Sequence, residues 1–567
     1  MVFMTMPNFR SKLTLLKEIT YLCYCHAGTN MRAKEILLSR SAGRFSMVQG
    51  LALLLVFLLL SSTILYYMLS DEEVMENDPE VITVDDPTVF VTNSSGMPVD
   101  EEPLEMDFIF SDVGETGKEP SIGITSSGCM FFIAMEKPMR SCDYGESWTN
   151  VADATQAPFT SDPYGWVDLE TDRVFNIHMM GLESTWIGWS DNDGQSWLGN
   201  PHDSGTTPLN DHIKLATGPW VDEGLFGPIG QLNPTYDTAV YFCFNKLAGI
   251  SCFTSFDGGA TFEVGGNIVG LASTNGGLHG AITTAPDGTV YLTPRVETPT
   301  LIFSKDNGLN WEEREMGTDV GTPNPRKNSE VATDSDSNAY HIWTGNDQGI
   351  YMSRSIDSGE SWDAQSIRIS PIEVISTAFP QTDAGDPGRI AVTYLGSENG
   401  SLLDSNSTIP ENWTGNAHNA PNEVHYHLYV TYSLNALDEN PIFHTRRITD
   451  DPVQIGSICL NSGDCNSDQG GSNRNLLDFN DLTIDLEGRV YIGFADGCTD
   501  ACASSPDPQP ADSRTGRGSV YFMANGPSLY VENGEMTSPV ESPPPEMNKE
   551  MQSVIDIEAV RQEQFEE

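Results

Sequence analysis

Positive charge is scarce in this 567-residue chain, which holds 29 lysine and arginine residues against 81 aspartate and glutamate residues. The formal net charge is −52 at pH 7. Because phosphate binding needs clustered basic side chains, this balance argues against nucleic acid as a partner. It predicts a well-solvated acidic surface, with binding of divalent cations as the alternative interpretation.

The short motifs of several enzyme classes are also missing. HExxH, P-loop, GxSxG and zinc-type Cys/His spacings do not occur, which argues against a metalloprotease, an NTPase or a serine hydrolase. The stretch from Cys459 to Asp481 is rich in Asp, Asn and Gly but lacks EF-hand spacing. Its Asp464, Asp468 and Asp478 are therefore weak candidates for Ca²⁺ ligands, and no other cofactor is indicated.

One segment lacks charge altogether. Residues 48–69 (VQGLALLLVFLLLSSTILYYML) are long enough to cross a bilayer as a helix. Residues 1–46 carry seven basic and two acidic side chains, whereas no basic residue lies between Phe45 and Gly117. The positive-inside rule predicts a single-pass anchor in the cell membrane, with residues 1–47 cytoplasmic and the rest of the chain outside. A cleaved signal peptide is the alternative, and Met31 is a second candidate start.

The cysteines after this segment fall into four close pairs. They are Cys129–Cys142, Cys243–Cys252, Cys459–Cys465 and Cys498–Cys502. Cys243 and Cys252 flank a turn at Lys246–Gly249, and pairing across that turn places them opposite each other at a separation that a disulfide tolerates. Four local disulfides are predicted, in agreement with an oxidising exterior.

Composition divides the remaining chain into three regions. Residues 70–106 are acidic with few large apolar side chains and predict a solvated stalk. Residues 107–532 alternate short apolar runs with Gly, Asp and Asn turns, which is typical of an all-β domain. Residues 533–567 form a Pro-rich acidic tail.

A repeated octapeptide organises the β-rich region. Its copies are SCDYGESW (141–148), SDNDGQSW (190–197), SFDGGATF (255–262), SKDNGLNW (304–311) and SIDSGESW (355–362). Their starts lie 49, 65, 49 and 51 residues apart, which is the period of a four-stranded propeller blade. The acidic or amide residues of the turns are Asp143, Asn192, Asp257, Asp306 and Asp357, and each is expected to bind backbone N–H groups of its own turn.

A second element, strand–Asp/Gly turn–strand, precedes each octapeptide and also recurs without it near 384–396 and 480–497. Counting both elements predicts seven blades, near 115–150, 161–200, 211–268, 277–316, 329–370, 375–449 and 477–530. Six blades is the alternative if one unit is an insertion. The segment DFIFS (107–111) is expected to pair with the last blade and close the ring, which would remove an exposed sheet edge.

Five such octapeptides at this period resemble the Asp-box, or BNR-repeat, superfamily, whose members include sialidases, other glycosidases and non-enzymatic receptors. The resemblance covers about residues 107–530 and implies a β-propeller. It also implies that the five Asp-box residues are structural, because Asp-boxes lie at the blade periphery in that family.

Sialidases of this superfamily hold the substrate carboxylate with three arginines, the first of which belongs to a Phe/Tyr-Arg-Ile-Pro motif that opens the first blade. The matching strand here begins GKEPSIGI (117–124), so Glu119 stands where that arginine is expected, and Arg-Ile-Pro does not occur. A carboxylate at this position would repel sialic acid. The sequence therefore predicts a sialidase-like fold rather than an active sialidase.

Propeller ligands usually bind over the central channel, beside the residues that enter each inner strand. We expect those residues to be Glu119, Trp220, His279, Glu330, Gln381 and Asp481, with Asp211 and His212 nearby. Glu119, His279, Glu330 and Asp481 are candidate acid/base catalysts, and Trp220 and His212 are candidate binding residues, with Arg295 and Arg326 as possible anion contacts. Solvated residues without chemistry remain an alternative interpretation.

Two functions follow from these observations. The first is a tethered propeller that binds an extracellular glycan or surface protein. The second is an extracellular glycoside hydrolase that uses paired carboxylates. Since propellers host many functions, the fold alone does not choose between them.

Overall fold

The computed structural model describes residues 88–154, 156, 159–203, 210–221, 235–246, 249–262, 264–268, 271, 279–294, 298–316, 329–398, 413–460, 474–499, 502, 515–533 and 536–537. All of them belong to one compact unit, Pro79–Glu567. Within these residues, no helix is long and apolar enough to cross a membrane. The predicted anchor at 48–69 lies outside them, as do Asp464 and Asp468.

The described strands form seven antiparallel sheets. In five of them the strands follow chain order from the innermost outwards, and in the other two an amino-terminal strand is added at the outer edge. Two strands precede the blades, β1 (Val89–Thr92) and β2 (Asp107–Thr116). Blade 1 contains β3 (Ser121–Ile124), β4 (Met130–Ala134), β5 (Lys137–Ser141) and β6 (Thr149–Asn150). Blade 2 contains β7 (Pro163–Asp168), β8 (Arg173–Met180), β9 (Ser184–Ser190) and β10 (Leu198–Asp203). Blade 3 contains β11 (Asp211–Gly218), β12 (Ala239–Lys246), β13 (Gly249–Ser255) and β14 (Val264–Asn267).

The next blades continue the same pattern. Blade 4 contains β15 (His279–Thr284), β16 (Val290–Pro294), β17 (Thr300–Ser304) and β18 (Glu312–Glu315). Blade 5 contains β19 (Glu330–Thr333), β20 (Ala339–Thr344), β21 (Ile350–Ser355) and β22 (Ile367–Arg368). Blade 6 contains β23 (Val374–Ala384), β24 (Ile390–Glu398), β25 (His425–Ser433) and β26 (Phe443–Arg447), and β27 (Gln454–Ile455) pairs with β25. Blade 7 contains β28 (Asp481–Ile484), β29 (Val490–Asp496) and β30 (Arg517–Asn525).

The amino-terminal strands complete the last two blades. Strand β2 pairs with β30, so the start of the propeller supplies the fourth strand of blade 7, as predicted from DFIFS. Strand β1 pairs with β26 on the outside of blade 6. The prediction of seven four-stranded blades is therefore confirmed. The predicted solvated stalk is wrong for its described part, because Val89–Thr92 forms sheet hydrogen bonds and Met106 is buried.

Short Asp/Gly turns join each inner strand to the second strand, as in APDGT (285–289). There the backbone N–H of Gly288 donates to the carbonyl of Ala285, and that of Ala285 donates to Thr289. Gly288 has φ +83°, in the left-handed region where a Cβ atom is unfavourable. The turn residues in the sequence thus reverse the chain between the first and second strands of the blade.

The five Ser-x-Asp/Asn-x-Gly turns share one hydrogen-bond pattern. In each, the first Ser hydroxyl donates to the Asp or Asn side chain and accepts the N–H of the Gly. At Asn192 the amide reverses one bond, because its Nδ2 donates to the Ser196 hydroxyl at 2.9 Å. The end of β25 carries a related turn that the sequence comparison missed, in which Ser433 donates to Asn435 at 3.2 Å.

The aromatic residue that ends each turn packs between its own blade and the preceding one. Trp148 joins the apolar cluster of blades 7 and 1, Trp197 that of blades 1 and 2, and Trp362 that of blades 4 and 5. Phe262 and Trp311 occupy the corresponding positions in blades 3 and 4. Each of these aromatic side chains buries a large apolar area. Each copy of the repeat therefore contributes one aromatic residue to the packing between two neighbouring blades.

Disulfides form at three of the predicted pairs, Cys129–Cys142, Cys243–Cys252 and Cys498–Cys502. Cys243 and Cys252 lie directly opposite each other on β12 and β13, which is the predicted register. Cys459 is also disulfide-bonded, and its predicted partner Cys465 lies outside the described residues.

Candidate functional site

Acidic side chains converge where the inner strands begin near the propeller axis. Glu119 lies just before β3 and Asp162 just before β7, while Asp211, Glu330 and Asp481 are the first residues of β11, β19 and β28. His279 begins β15, and its side chain lies outside the described part of the structure. Since the inner strands of all blades surround one axis, residues at their starts form a ring.

One part of this ring, here named the entry cluster, contains Glu119, Asp162, His212, Arg474 and Asp478. Arg474 donates two hydrogen bonds to Asp478, at 2.8 and 2.7 Å. His212 Nε2 lies 3.7 Å from Asp478 Oδ2. Burial opposes ionisation of Asp478, but the nearby His212 and the hydrogen-bonded Arg474 outweigh it and lower the pKa of this carboxyl. Asp478 is therefore the anionic partner of Arg474 and His212.

The other two acids of the entry cluster, Glu119 and Asp162, have raised pKa values. Burial raises the pKa of Glu119 well above its ordinary value, and the nearby Asp162 and Asp478 raise it further. Burial likewise raises the pKa of Asp162 to about 6, although the backbone N–H of Ile213 donates to it at 3.1 Å. Burial alone would lower the pKa of His212, but its contacts with Asp478 and Asp162 raise it. The cluster thus combines two acids whose protonated forms burial favours with a histidine whose charged form the neighbouring carboxylates favour.

A second group, here named the channel group, lies further along the axis and contains Lys214, Glu330, Gln381, Asp383 and Asp481. Burial raises the pKa of Glu330 to about 8 and those of Asp383 and Asp481 to about 7. Gln381 Nε2 donates to Glu330 Oε1 at 3.2 Å, and the backbone N–H of Ile122 donates to Asp481 Oδ2 at 2.8 Å. Three carboxyl groups can therefore gain or lose a proton near neutral pH.

Lys214 is the cation of the channel group. Its ammonium lies 3.5 Å from the ring centroid of Phe479 and 4.5 Å from that of Tyr164. Burial lowers the pKa of Lys214, while Glu330 and Asp481 oppose that change. The two rings thus replace part of the water that a lysine ammonium would otherwise bind.

A cavity of about 720 Å³ extends from the channel group along the inner strands. It reaches the turns that follow those strands, at Glu170, Pro219, Pro286, Ser335, Gly385 and Leu486. The partly exposed ring of Trp166 also lines it, and its Nε1 donates to Thr217 Oγ1 at 2.9 Å, which fixes the ring orientation. A volume of this size suits a small organic ligand such as a short oligosaccharide.

Two placements predicted from the sequence are wrong. Trp220 does not enter an inner strand, because β11 ends at Gly218 and Trp220 follows it, packed against Phe256. Gln381 lies inside β23, which begins at Val374 and carries an irregularity between Ala378 and Gln381. Asp478 is engaged by Arg474 and His212, and no group of acids, histidines or cysteines suited to a metal occurs among the described residues. Arg295 and Arg326 lie outside those residues.

Several site residues were missed in the sequence. Asp162 precedes an inner strand just as Glu119 does, so the same rule applied to blade 2 would have found it. Lys214 lies within an apolar strand between the buried Ile213 and Leu215, where a lysine is unusual. No local sequence pattern marks Asp383 and Arg474 as site residues, because only the folding of the whole chain brings them there.

Comparisons with known proteins give structural neighbours of low sequence identity. No protein-family model and no curated protein matches the chain. Its structural neighbours include trans-sialidases. The intramolecular trans-sialidase from Ruminococcus gnavus is 12% identical, with 76% of this chain and 99% of that chain covered and a TM-score of 0.35.

A protein of unknown function from Dyadobacter fermentans is 11% identical over 74% of this chain and 99% of its own, with a TM-score of 0.37. The six-bladed fucose-binding lectin of Aleuria aurantia is 12% identical over 53% of this chain and 100% of its own, with a TM-score of 0.33. A likeness at this level identifies no activity for this chain. Function therefore rests on the site itself.

Proposed function

We propose that this propeller is a glycan-binding protein whose ligand occupies the axial cavity. The observation that carries the proposal is the cavity of about 720 Å³, into which hydrogen-bonding side chains of different blades face beside Trp166. Sugars present both hydroxyl groups and apolar C–H faces, so an oriented aromatic ring next to carboxyl and amide groups matches their chemistry.

A glycan array probed with the full-length protein, kept in mild detergent, tests this function. We expect binding to a defined set of glycans, and loss of most of it in Trp166→Leu. Trp220→Phe is the matched control, since Trp220 packs against Phe256 and does not line the cavity. Binding that survives in Trp166→Leu, or no glycan binding at all, would contradict the proposal, and the latter result would favour a surface protein as the ligand.

We further propose that residues 48–69 anchor the chain in the cell membrane with the propeller outside. The three described disulfides support an oxidising compartment. Protease added to intact cells is expected to remove the propeller and to leave residues 1–47 protected. Protection of the propeller instead would place it on the cytoplasmic side.

Glycoside hydrolysis is the second candidate function, and it is favoured by the channel group. A general acid must stay protonated near neutral pH, and Glu330, with a pKa of about 8, meets that condition beside Asp481. A panel of fluorogenic glycosides separates the two functions. Turnover that disappears in Glu330→Gln would establish hydrolysis, whereas binding without turnover in the unaltered protein would exclude it for the sugars tested.

A further inference from the structure

Charge is distributed unevenly over the cavity lining. Among its described residues, seven carry a carboxyl group and one, Lys214, carries an ammonium. The acids are Asp168, Glu170, Asp237, Glu330, Asp334, Asp383 and Asp481. Such a lining disfavours an anionic sugar, because a ligand carboxylate would approach several acids in a poorly solvated space.

Two of these acids accept hydrogen bonds from buried side-chain hydroxyl groups of the protein. Asp168 Oδ2 accepts hydrogen bonds from Tyr236 and Thr238, at 2.6 and 2.7 Å. Asp334 Oδ2 accepts one from Tyr340 at 2.6 Å. Glu330, Asp383 and Asp481 also accept hydrogen bonds, from the Gln381 amide and from backbone N–H groups. Burial nonetheless raises the pKa of each, so these bonds do not replace the lost hydration, and a ligand cation can still stabilise the ionised carboxyl groups.

Lys214 does not balance these three carboxyl groups. Its single charge lies between the rings of Tyr164 and Phe479, and it faces Glu330 and Asp481 from blade 3. When the three acids are ionised, two negative charges remain in excess of Lys214. A cation bound among them would offset part of this excess in the low-dielectric channel.

Asn480 independently indicates that the cavity holds a polar ligand. Its side chain is 1% exposed and lines the cavity. Neither its Oδ1 nor its Nδ2 has a hydrogen-bond partner among the described residues. Thr284 Oγ1, which also lines the cavity, likewise has no hydrogen-bond partner among them. Since a buried amide without hydrogen bonds is costly, a ligand that both donates and accepts would stabilise this wall.

We infer that the glycan bound in the cavity is an amino sugar, whose free ammonium is held by Glu330, Asp383 and Asp481 while its hydroxyl groups bind Asn480. This inference rests on the proposed glycan-binding function and specifies its substrate class. The ring of Trp166 supplies a surface for the apolar face of the sugar. An N-acetyl group at the same position removes the charge and brings a methyl group to the carboxyl groups.

Binding of the ammonium is coupled to the protons of the channel group. Without ligand, burial raises the pKa values of Asp383 and Asp481 to about 7 and that of Glu330 to about 8, so all three groups are substantially protonated between pH 6 and 7. The charged or polar side chains that face them are Lys214, Gln381, Tyr164 and Tyr530. A cation favours the ionised carboxyl groups, so its binding releases protons to the solvent.

Isothermal titration of the full-length protein with matched disaccharides tests the inference. The probes are the glucosamine disaccharide, its N-acetylated counterpart and an N-trimethylated form whose charge is independent of pH. At pH 7 we expect the two cationic sugars to bind at least tenfold more tightly than the N-acetylated one. The trimethylated sugar should release protons, so its affinity should rise up to about tenfold per pH unit from pH 6 to 7 for each proton released.

Variants assign the preference to named residues. Asp383→Asn and Glu330→Gln should reduce the preference for the cationic sugars at least fivefold while binding of the N-acetylated sugar persists. Glu439→Gln, an exposed change outside the cavity lining, is the control and should leave both affinities unchanged. A preference that persists in both cavity variants would overturn the assignment.

The outcomes separate this inference from the proposed function. Equal or tighter binding of the N-acetylated sugar would overturn the amino-sugar inference and leave glycan binding standing. Binding of the simple diamine cadaverine as tightly as the glucosamine disaccharide would overturn the inference by showing that the sugar contributes nothing. Absence of binding to every sugar, here and on the glycan array, would overturn both.

Discussion

Glu330 shows how one buried side chain links stability to pH. Its pKa in the folded protein is about 8, against ~4.3 for an unperturbed glutamate. Between these pH values the folded protein holds a proton that the unfolded chain has released. The free energy of unfolding therefore falls as the pH rises from ~4.3 towards 8, and the stabilising effect of this proton is lost above 8.

We expect Glu330→Gln to remove this dependence, because a neutral amide keeps the acceptor for Gln381 without a titrating group. At pH 8 the variant should be more stable than the unaltered protein by on the order of a few kcal/mol, with little difference at pH 4. Urea unfolding at several pH values measures the effect, with Glu439→Gln as the exposed control. Equal destabilisation by Glu330→Gln at every pH would show that the pKa of Glu330 is the same in the folded and the unfolded protein.

The turn at Asp257 tests how much one repeated carboxylate contributes. Its oxygens accept from the N–H and the hydroxyl of Thr261, at 2.8 and 2.6 Å. Asp257→Ala removes these acceptors and should lower the free energy of unfolding by about 1–2 kcal/mol. Asp257→Asn should cost less than about 0.5 kcal/mol, since Asn192 already forms the equivalent turn in blade 2. Equal losses in both variants, measured by urea unfolding, would mean that charge rather than hydrogen bonding matters.

At the scale of elements, the β12–β13 hairpin carries its own covalent link. The disulfide Cys243–Cys252 closes a loop with a sequence separation of 9 residues between buried strands. Replacing both cysteines by alanine should lower the free energy of unfolding by about 2–3 kcal/mol, mainly by freeing the unfolded chain. Calorimetry or urea unfolding of the double variant measures this. No loss of stability would indicate that the two thiols are unpaired in the mature protein.

The closing strand β2 is the element on which the ring depends. Deletion of the chain up to Glu105 removes β1 and keeps β2 on blade 7, so the propeller should still unfold cooperatively. Deletion up to Thr116 removes the buried Phe108 and Ile109 and uncovers the edge of β30, and it should give aggregation or loss of cooperative unfolding. Size-exclusion chromatography and thermal unfolding compare the two deletions. A monomeric, cooperative product of the longer deletion would show that closure is dispensable.

Local periodicity was sufficient to predict the blades but not the whole site. The octapeptide spacing and the strand–turn–strand element located all seven sheets, because each blade repeats the same short-range chemistry. Glu119, Glu330 and Asp481 followed from the rule that strand starts face the axis. Trp220 was misplaced because Gly218–Pro219 ends a strand rather than beginning one. Lys214, Asp383 and Arg474 became site residues only through contacts between blades, which no local pattern records.

At the scale of the whole molecule, the imbalance of charge sets both solubility and stability. The carboxylates that give the chain its net charge of −52 repel one another in the folded protein. Several of these acids, in the channel group and the entry cluster, lie close together around one axis. Protonation of Glu119 and Glu330 relieves part of this repulsion without a counter-ion. The remaining repulsion between exposed carboxylates is the part that dissolved salt can screen.

We therefore expect the thermal midpoint at pH 8 to rise by several degrees when NaCl increases from about 10 mM to about 150 mM, as the screening length falls from about 30 to about 8 Å. At pH 5 the rise should be smaller, because more carboxyl groups are protonated and less repulsion remains to be screened. KCl at the same ionic strength is the control, and an equal effect would assign the stabilisation to screening rather than to a bound sodium ion. A thermal midpoint that does not respond to either salt at pH 8 would contradict this expectation. It would mean that the exposed carboxylates are far enough apart for water alone to make their repulsion negligible.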